Sequence, residues 1–361
     1  MNSYLGIDFG TASLKLIELK NEKGKPTLVT YGYAEEEINI PRGDFQKKCP
    51  EIVKLLKEIC QKAKTSSIKA IAALPSFAVF SSLINLPEMS KKELISAIHW
   101  EAKKFIPMPI EEVVLDWKMT PSISEESSRG FEGTEGSRGQ GEGSHGQEKK
   151  NLRILLTAAP KNLVERYIEI FKKANLEFLS LETESFALVR SLVGSDPAVT
   201  VILDLGEGVT DIIIVEKGIP LLSRSVEIGG KNITRTIANN LNIDPKRAEQ
   251  FKRDIGLAQA KESPVPRAIT MVLSSILNEI RYSIDLYQSQ NPAKKVEKII
   301  LSGGAAFLPN LSQYLSEILG LRVYVGNPWD RISYPIELKP ALEELGPKFA
   351  VAIGLAMREI E

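Results

Sequence analysis

Two stretches of this chain carry residues whose types and spacing could handle a phosphate chain and a cation. Asp8-Phe-Gly-Thr-Ala-Ser-Leu-Lys15 and Asp204-Leu-Gly-Glu-Gly-Val-Thr-Asp211 are both flanked by apolar segments. Each reads as a strand, a glycine-bearing turn and a second strand. Gly10 in the first copy, and Gly206 and Gly208 in the second, let backbone N–H groups approach an anion, because no Cβ stands in the way. An Asp at the end of the first strand is placed to meet a metal ion, directly or through water. Laid over one another, the copies match Asp8 with Asp204, Gly10 with Gly206 and Lys15 with Asp211. Lys15 offers a point charge to phosphate oxygens, whereas Asp211 cannot bind phosphate directly. That asymmetry fits a nucleotide with a metal ion on one side. One such hairpin alone is an ordinary turn rich in Asp and Gly. The pair points to two related domains that present their turns to one phosphate chain.

The bulk composition narrows the classes. A chain of 361 residues suits two or three domain-sized units. With 46 basic and 46 acidic residues the net charge is zero, so nothing predicts nucleic acid or an anionic membrane as ligand. The two cysteines, Cys49 and Cys60, form no CxxC, and a reducing compartment is expected. The two histidines, His99 and His145, leave little for a Ser-His-Asp triad or a His-rich metal site. No apolar run approaches the roughly 20 residues that span a bilayer, and no signal region opens the chain. The expected compartment is the cytoplasm.

The elements that must position the two turns alternate between strand and helix, which predicts an α/β fold. Helices are expected over 50–63, 161–174, 184–192, 232–241, 267–288, 309–319 and 347–359, the last one rich in small residues. Asp244-Pro245 supplies an N-cap and an N1 proline before another helix, which carries Glu249 and Lys252. Ser90-Lys-Lys-Glu93 is a capping box, followed by an apolar stripe of Leu94, Ile98, Ala102 and Phe105. Trp100 lies off that stripe. Residues 122–150 are dominated by Ser, Gly, Glu and Arg, with Phe131 as the sole aromatic. They read as a disordered loop joining two strands, 112–120 and 152–158.

A third glycine loop, Ser302-Gly-Gly-Ala305, follows an apolar strand and precedes a helix. Such a turn presents backbone to a flat or anionic group. In this order the three loops resemble those of the actin-like ATPase superfamily. The segments Leu86-Pro-Glu-Met-Ser-Lys-Lys-Glu-Leu-Ile-Ser-Ala-Ile-His-Trp-Glu-Ala-Lys-Lys-Phe-Ile-Pro107, Glu279-Ile-Arg-Tyr-Ser-Ile-Asp-Leu-Tyr287 and Ala352-Ile-Gly-Leu-Ala-Met-Arg358 resemble the PilM family of type IV pilus assembly proteins. That resemblance implies an actin-like fold of two related domains around a nucleotide cleft, with a small inserted α+β subdomain. The first domain would comprise residues 1–80 and 159–192, the insert 81–158, the second domain 193–340, and a helix in 341–361 would return to the first.

The resemblance also implies roles for single residues. Gly10, Thr11, Ser13 and Lys15 would hold phosphates of ATP, and Gly206, Gly208 and Thr210 would form the second phosphate turn. Asp8 and Asp204 would sit near Mg²⁺. Gly229 and Gly230 would lie near the ribose, and Gly303, Gly304 and Ala305 under the base. Glu249 and Lys252 read either as ribose and adenine contacts or as a solvated i,i+3 pair. For positioning an attacking water, Glu182 is the first candidate and Glu184 the second. Thr183 stands where the superfamily carries Pro, so a slow ATPase and a binding switch both fit. The resemblance implies as partners the N-terminal cytoplasmic tail of PilN, PilO through PilN, and an assembly ATPase, with self-association as a further option and a peripheral place at the inner membrane in the machinery of twitching motility. Trp100 would then wall a groove for that tail, against the alternative of covering its own subdomain's core. A cell-division filament protein of the FtsA type and a small-molecule kinase on the same fold remain alternatives.

Overall fold

The computed structural model describes residues 2–36, 38, 40–41, 44–120, 151–258 and 263–360. The loop 122–150 expected from composition lies outside the described residues, as do Phe131 and His145 within it. The chain divides into two compact units, Met1–Val79 with Asn162–Glu361, and Phe80–Lys161.

The larger unit holds two five-stranded sheets of the same design. The first contains β1 (Ser3–Gly10), β2 (Ser13–Glu22), β3 (Lys25–Ala34), β4 (Lys69–Leu74) and β8 (Glu177–Thr183), in the order β3-β2-β1-β4-β8. The second contains β9 (Thr200–Leu205), β10 (Thr210–Glu216), β11 (Ile219–Val226), β12 (Lys298–Ser302) and β13 (Arg322–Val325), in the order β11-β10-β9-β12-β13. In each, three consecutive strands pair antiparallel and the last two add in parallel. The central strands are buried on both faces, which is why β10 reads as the unbroken run Ile212–Val215 rather than as an alternation.

Helix α1 (Phe45–Ala63) begins five residues before the expected Pro50. Asp44 caps it by accepting a hydrogen bond from Lys47 N, and Phe45 and Cys49 are buried, so the apolar face extends N-terminal to the proline. The final helical segment starts as a 3₁₀ turn over Gly346–Phe349 and becomes α-helical only at Ala350–Met357. That helix is buried on every side. With α4 (Glu184–Leu192) it joins both sheets in one core cluster, which includes Ile71, Leu188, Ile202, Ile300 and Leu355.

Small residues set how closely these elements approach. A Cβ on Gly354 would stand 1.9 Å from the Ala187 carbonyl oxygen, and one on Gly6 would stand 2.0 Å from that of Ala352. Both obstacles are backbone, which cannot rotate aside.

The smaller unit is α+β. Strands β5 (Phe80–Pro87), β6 (Val113–Thr120) and β7 (Asn151–Pro160) form an antiparallel sheet ordered β5-β7-β6. Helix α2 (Lys91–Phe105) packs Leu94, Ile98 and Ala102 on Ile84, Ile154 and Leu156, and its Ser90–Glu93 capping box is present. Phe105 departs from the expected stripe and is 44% exposed, while Ile106 is buried. The helix ends at Phe105, and Ile106, which precedes Pro107, is extended (φ −82°, ψ 120°), so the helical period no longer governs which side faces the core.

Replacing Gly354 by Ala should destabilise the protein by about 3 kcal/mol or more, the upper range for overpacking, because backbone must move. Urea unfolding measures this, and an unchanged midpoint would contradict the packing described.

Candidate functional site

In the first hairpin, Gly10 pairs with Ser13 across a turn made by Thr11 and Ala12, and this register sets Asp8 directly opposite Lys15. The Lys15 Nζ lies 2.9 Å from Asp8 Oδ2. A Cβ on Gly10 would stand 3.3 Å from that same Nζ, so the glycine keeps the space above the lysine clear. In the second hairpin the equivalent register sets Asp204 opposite Asp211, and Gly206 N donates to Val209 O to close the turn. The two tips approach each other: a Cβ on Gly208 would come within 3.6 Å of Thr11 Oγ1.

The tips open into a cleft of about 670 Å³. Of the residues expected at a ligand, Asp8, Gly10, Thr11, Ser13, Lys15, Asp204, Gly206, Gly230, Glu249, Lys252, Gly303, Gly304 and Ala305 line it. Gly208, Thr210 and Gly229 are not part of that lining. Thr210 is buried and its hydroxyl donates to Ile228 O (2.7 Å). Gly229 caps α5 (Gly230–Leu241), and a Cβ there would lie 2.6 Å from the carbonyl oxygens of Gly206 and Glu207. The first amides of α5 are spent on the second turn: Gly230 N donates to Gly206 O and Lys231 N to Glu207 O. Gly303 has φ +84° and lies under Asp204, with 2.9 Å between its ideal Cβ position and Asp204 Oδ1.

Glu182 is not part of the cleft lining. Arg190 Nη1 and Nη2 donate to its two carboxylate oxygens at 2.7 and 3.0 Å, and Arg358 approaches at 3.7 Å. Glu184, two residues on and the first residue of α4, lines the cleft instead. Ser76 donates to its Oε2 from both the backbone N (2.9 Å) and the hydroxyl (3.3 Å). Trp100 lies in the smaller unit, 64% exposed, with Lys104 Nζ 3.9 Å from its ring centroid.

Glu249 and Lys252 are more than a surface pair. They sit on α6 (Pro245–Asp254) with Nζ and Oε2 2.6 Å apart, and Thr234 of α5 bonds both, at 2.6 Å to the carboxylate and 2.9 Å to the ammonium. Burial alone would raise the Glu249 carboxyl, but the hydrogen bonds from Lys252 and Thr234 outweigh it and bring it to about 2. Thr234 and Arg253, which also pairs with Glu249, carried no sequence signal that singled them out.

The phosphate end is crowded with acid. Burial raises Asp204 to about 6 against a hydrogen bond from Ser302, and raises Asp211 to about 7 against one from Ser225. Burial, then the charges of Asp211 and Asp8, push Glu184 well above the usual carboxylate range. Asp204 and Glu184 are partly buried, and both line the cleft. Among the described residues no three acidic, His or Cys side chains converge as a ready-made metal cage. A cation bound with phosphates needs less: Mg²⁺ takes one or two carboxylates and fills its octahedron with phosphate oxygens and water. Asp8 and Asp204 can supply that, and Lys15 can meet the phosphates.

A family model described as type IV pilus assembly protein PilM matches residues 6–130 and 143–360. The chain belongs to the PilM family. Its fold is that of the actin-like ATPases. A chain of the solved PilM-PilN type IV pilus biogenesis complex is 28% identical with a TM-score of 0.82, covering 99% of this chain and 98% of that one. The cell division protein FtsA of Enterococcus hirae is 25% identical over 90% of this chain and 78% of its own length. MreB5 of Spiroplasma citri, solved bound to AMPPNP, shares the fold at a TM-score of 0.52 and 14% identity, over 98% of this chain and 95% of that one. This PilM-family chain thus places the acids of its paired hairpins, Lys15 and the Gly303-Gly304 loop around one cleft.

The raised Asp211 has a consequence for stability. Its folded value of about 7 exceeds its unfolded value of about 3.9, so between those limits the folded state binds more protons. Stability should therefore fall as pH rises through that window, by up to about 1.4 kcal/mol per pH unit for one group, and level off above it. Asp204 adds to the same slope at lower pH. Asp211→Asn should flatten the slope and give the more stable protein near pH 8. Urea unfolding of metal-free, nucleotide-free protein at several pH values measures this, and equal slopes would refute it.

Proposed function

We propose that this protein is an ATP-binding adaptor of the type IV pilus assembly platform that holds Mg·ATP in the cleft and binds the N-terminal tail of PilN. One observation carries the nucleotide reading: two hairpins of the same design meet tip to tip, with a lysine on one and an acid pair on the other. Asp8, Glu184, Asp204 and Asp211 lie together at the phosphate end of the cleft, and a divalent cation entering with the phosphates offsets their negative charge. Lys15 and the first turn hold phosphate oxygens, and Asp8 and Asp204 stand by the Mg²⁺. The Thr234, Glu249 and Lys252 network receives ribose and adenine, and Gly303, Gly304 and Ala305 lie under the base. The AMPPNP bound to MreB5 supports a nucleotide of this type.

Any hydrolysis runs through Glu184, which lines the cleft, rather than Glu182, which Arg190 holds in an ion pair. Glu184 would hold a water and accept its proton as it attacks. A raised carboxyl, once ionised, is a stronger base than an ordinary one.

Membership of the PilM family and likeness to a chain of the PilM-PilN complex support PilN as partner. Among the described residues no helix is long and apolar enough to cross a membrane. Attachment to the inner membrane, and contact with further pilus proteins, would then pass through PilN. Trp100 is the exposed aromatic of the smaller unit best suited to anchor the tail.

Two measurements test these readings. In titration calorimetry, Lys15→Ala should lose a charge-assisted contact of about 1.5–3 kcal/mol, roughly ten- to hundredfold in ATP affinity, and chelating Mg²⁺ should weaken the wild type. Unchanged affinity in Lys15→Ala and Asp204→Ala would sink the nucleotide site. A PilN N-terminal peptide should bind Trp100→Ala more weakly by about 2 kcal/mol, with ATP binding intact. Equal peptide affinities would remove Trp100 from the interface.

A further inference from the structure

Glu184 begins helix α4 immediately after β8, and Ser76 opens a 3₁₀ turn that follows β4 and Pro75. Strands β4 and β8 are parallel neighbours in which Leu74 stands opposite Thr183. The topology therefore sets the two residues side by side although they lie 108 residues apart in the chain. Ser76 is buried. Its backbone N–H donates to Glu184 Oε2 at 2.9 Å, and its hydroxyl donates to the same oxygen at 3.3 Å. The first amide of a helical turn has no partner inside the turn, so the carboxylate serves it as a cap. The residue after Glu184 is held as well, since the hydroxyls of Ser185 and of Ser223 on β11 share a hydrogen bond of 2.8 Å.

Both Ser76 donors fall on one oxygen. A carboxylate oxygen offers about two lone pairs. Those of Oε2 are taken, whereas no described group bonds Oε1. The neighbours whose charge Glu184 feels are Asp211, Asp8 and Asp204, which are acids and donate nothing to it. The phenol of Tyr167, on α3 (Lys161–Ala174), feels the charge of Glu184 but makes no hydrogen bond among the described groups. Ser76 is therefore the residue that holds this carboxyl group, and it leaves one oxygen to take a proton. Glu184 lines the cleft, as do Pro75 and Phe77 on either side of Ser76, while Ser76 itself is not part of the lining.

We propose that Ser76 is a positioning residue: by holding Oε2 with its amide and its hydroxyl, it assigns proton transfer to Glu184 Oε1 and fixes where that oxygen stands. In turnover the water oxygen bonds the terminal phosphorus. The bond from that phosphorus to the bridging oxygen breaks with its electron pair going to ADP, and the water's proton passes to Oε1. This role rests on the proposed use of Glu184 as the base. The Ser76–Glu184 contact is a property of the nucleotide-free protein, so the contact and its use are tested separately.

The first test is a double-mutant cycle on nucleotide-free protein, read by urea unfolding. Ser76→Ala and Glu184→Ala each remove part of the same contact, so the double variant should lose less stability than the two single losses added together. Additive losses overturn the contact whatever the protein does with ATP. The second test is kinetic. With ATP affinity intact by calorimetry, Ser76→Ala should lower kcat about tenfold at unchanged KM, as for a base held less well, and Ser76→Thr, which keeps the hydroxyl, should stay near the wild type. A Ser76→Ala protein as fast as the wild type overturns the role in turnover, and so does an equal loss in Ser76→Ala and Ser76→Thr. A wild type that binds ATP without turning it over would instead overturn Glu184 as the base, and the unfolding cycle then decides the Ser76 contact alone.

Discussion

The constraint on which this molecule turns is an imbalance of charge across a repeated hairpin. In the first copy the register pairs Asp8 with Lys15, and the carboxylate has its counter-ion. In the second copy the same register pairs Asp204 with Asp211, two acids whose hydrogen bonds come from the hydroxyls of Ser302 and Ser225. Enclosed acids of like charge persist by holding protons or by gaining a cation. The second hairpin is therefore costly in isolation at neutral pH, and the surrounding core must bear that cost. The interleaving of both sheets with α4 and the buried C-terminal helix supplies the rigidity that keeps the two acids apart and in place.

Much of this was legible in the sequence because it rests on local chemistry. The hairpins announce themselves by glycine between apolar runs, and the capping box of α2 and the Asp244-Pro245 start of α6 by residue types at fixed offsets. The duplication was visible for the same reason: two local patterns could be laid over each other, and the two sheets repeat one strand order.

What was hidden depends on distance in the chain. Glu182 and Glu184 have the same charge and lie on the same strand-to-helix junction. The choice between them is made by Arg190, one turn and more along α4, and by Ser76, 108 residues earlier. The sequence leaves Glu249 and Lys252 open between a ligand contact and a surface pair, and it does not show that Thr234, on another helix, bonds both. Phe105 fits the helical stripe perfectly and leaves it only because the chain turns extended before a proline. Periodicity describes an element while it lasts, and it is silent at the residue where the element stops.

The bonds from Gly230 and Lys231 to the second turn have a mechanical meaning. Helix N-termini can offer those amides to an anion, but here they clamp the turn to α5. Thr234, one turn further along the same helix, holds the Glu249–Lys252 pair. Gly230 also accepts from Lys252 Nζ, so the second turn and the Glu249–Lys252 pair are anchored on the same first turn of one helix. A shift of that turn is therefore felt at once by the pair, and a shift of the pair by the turn.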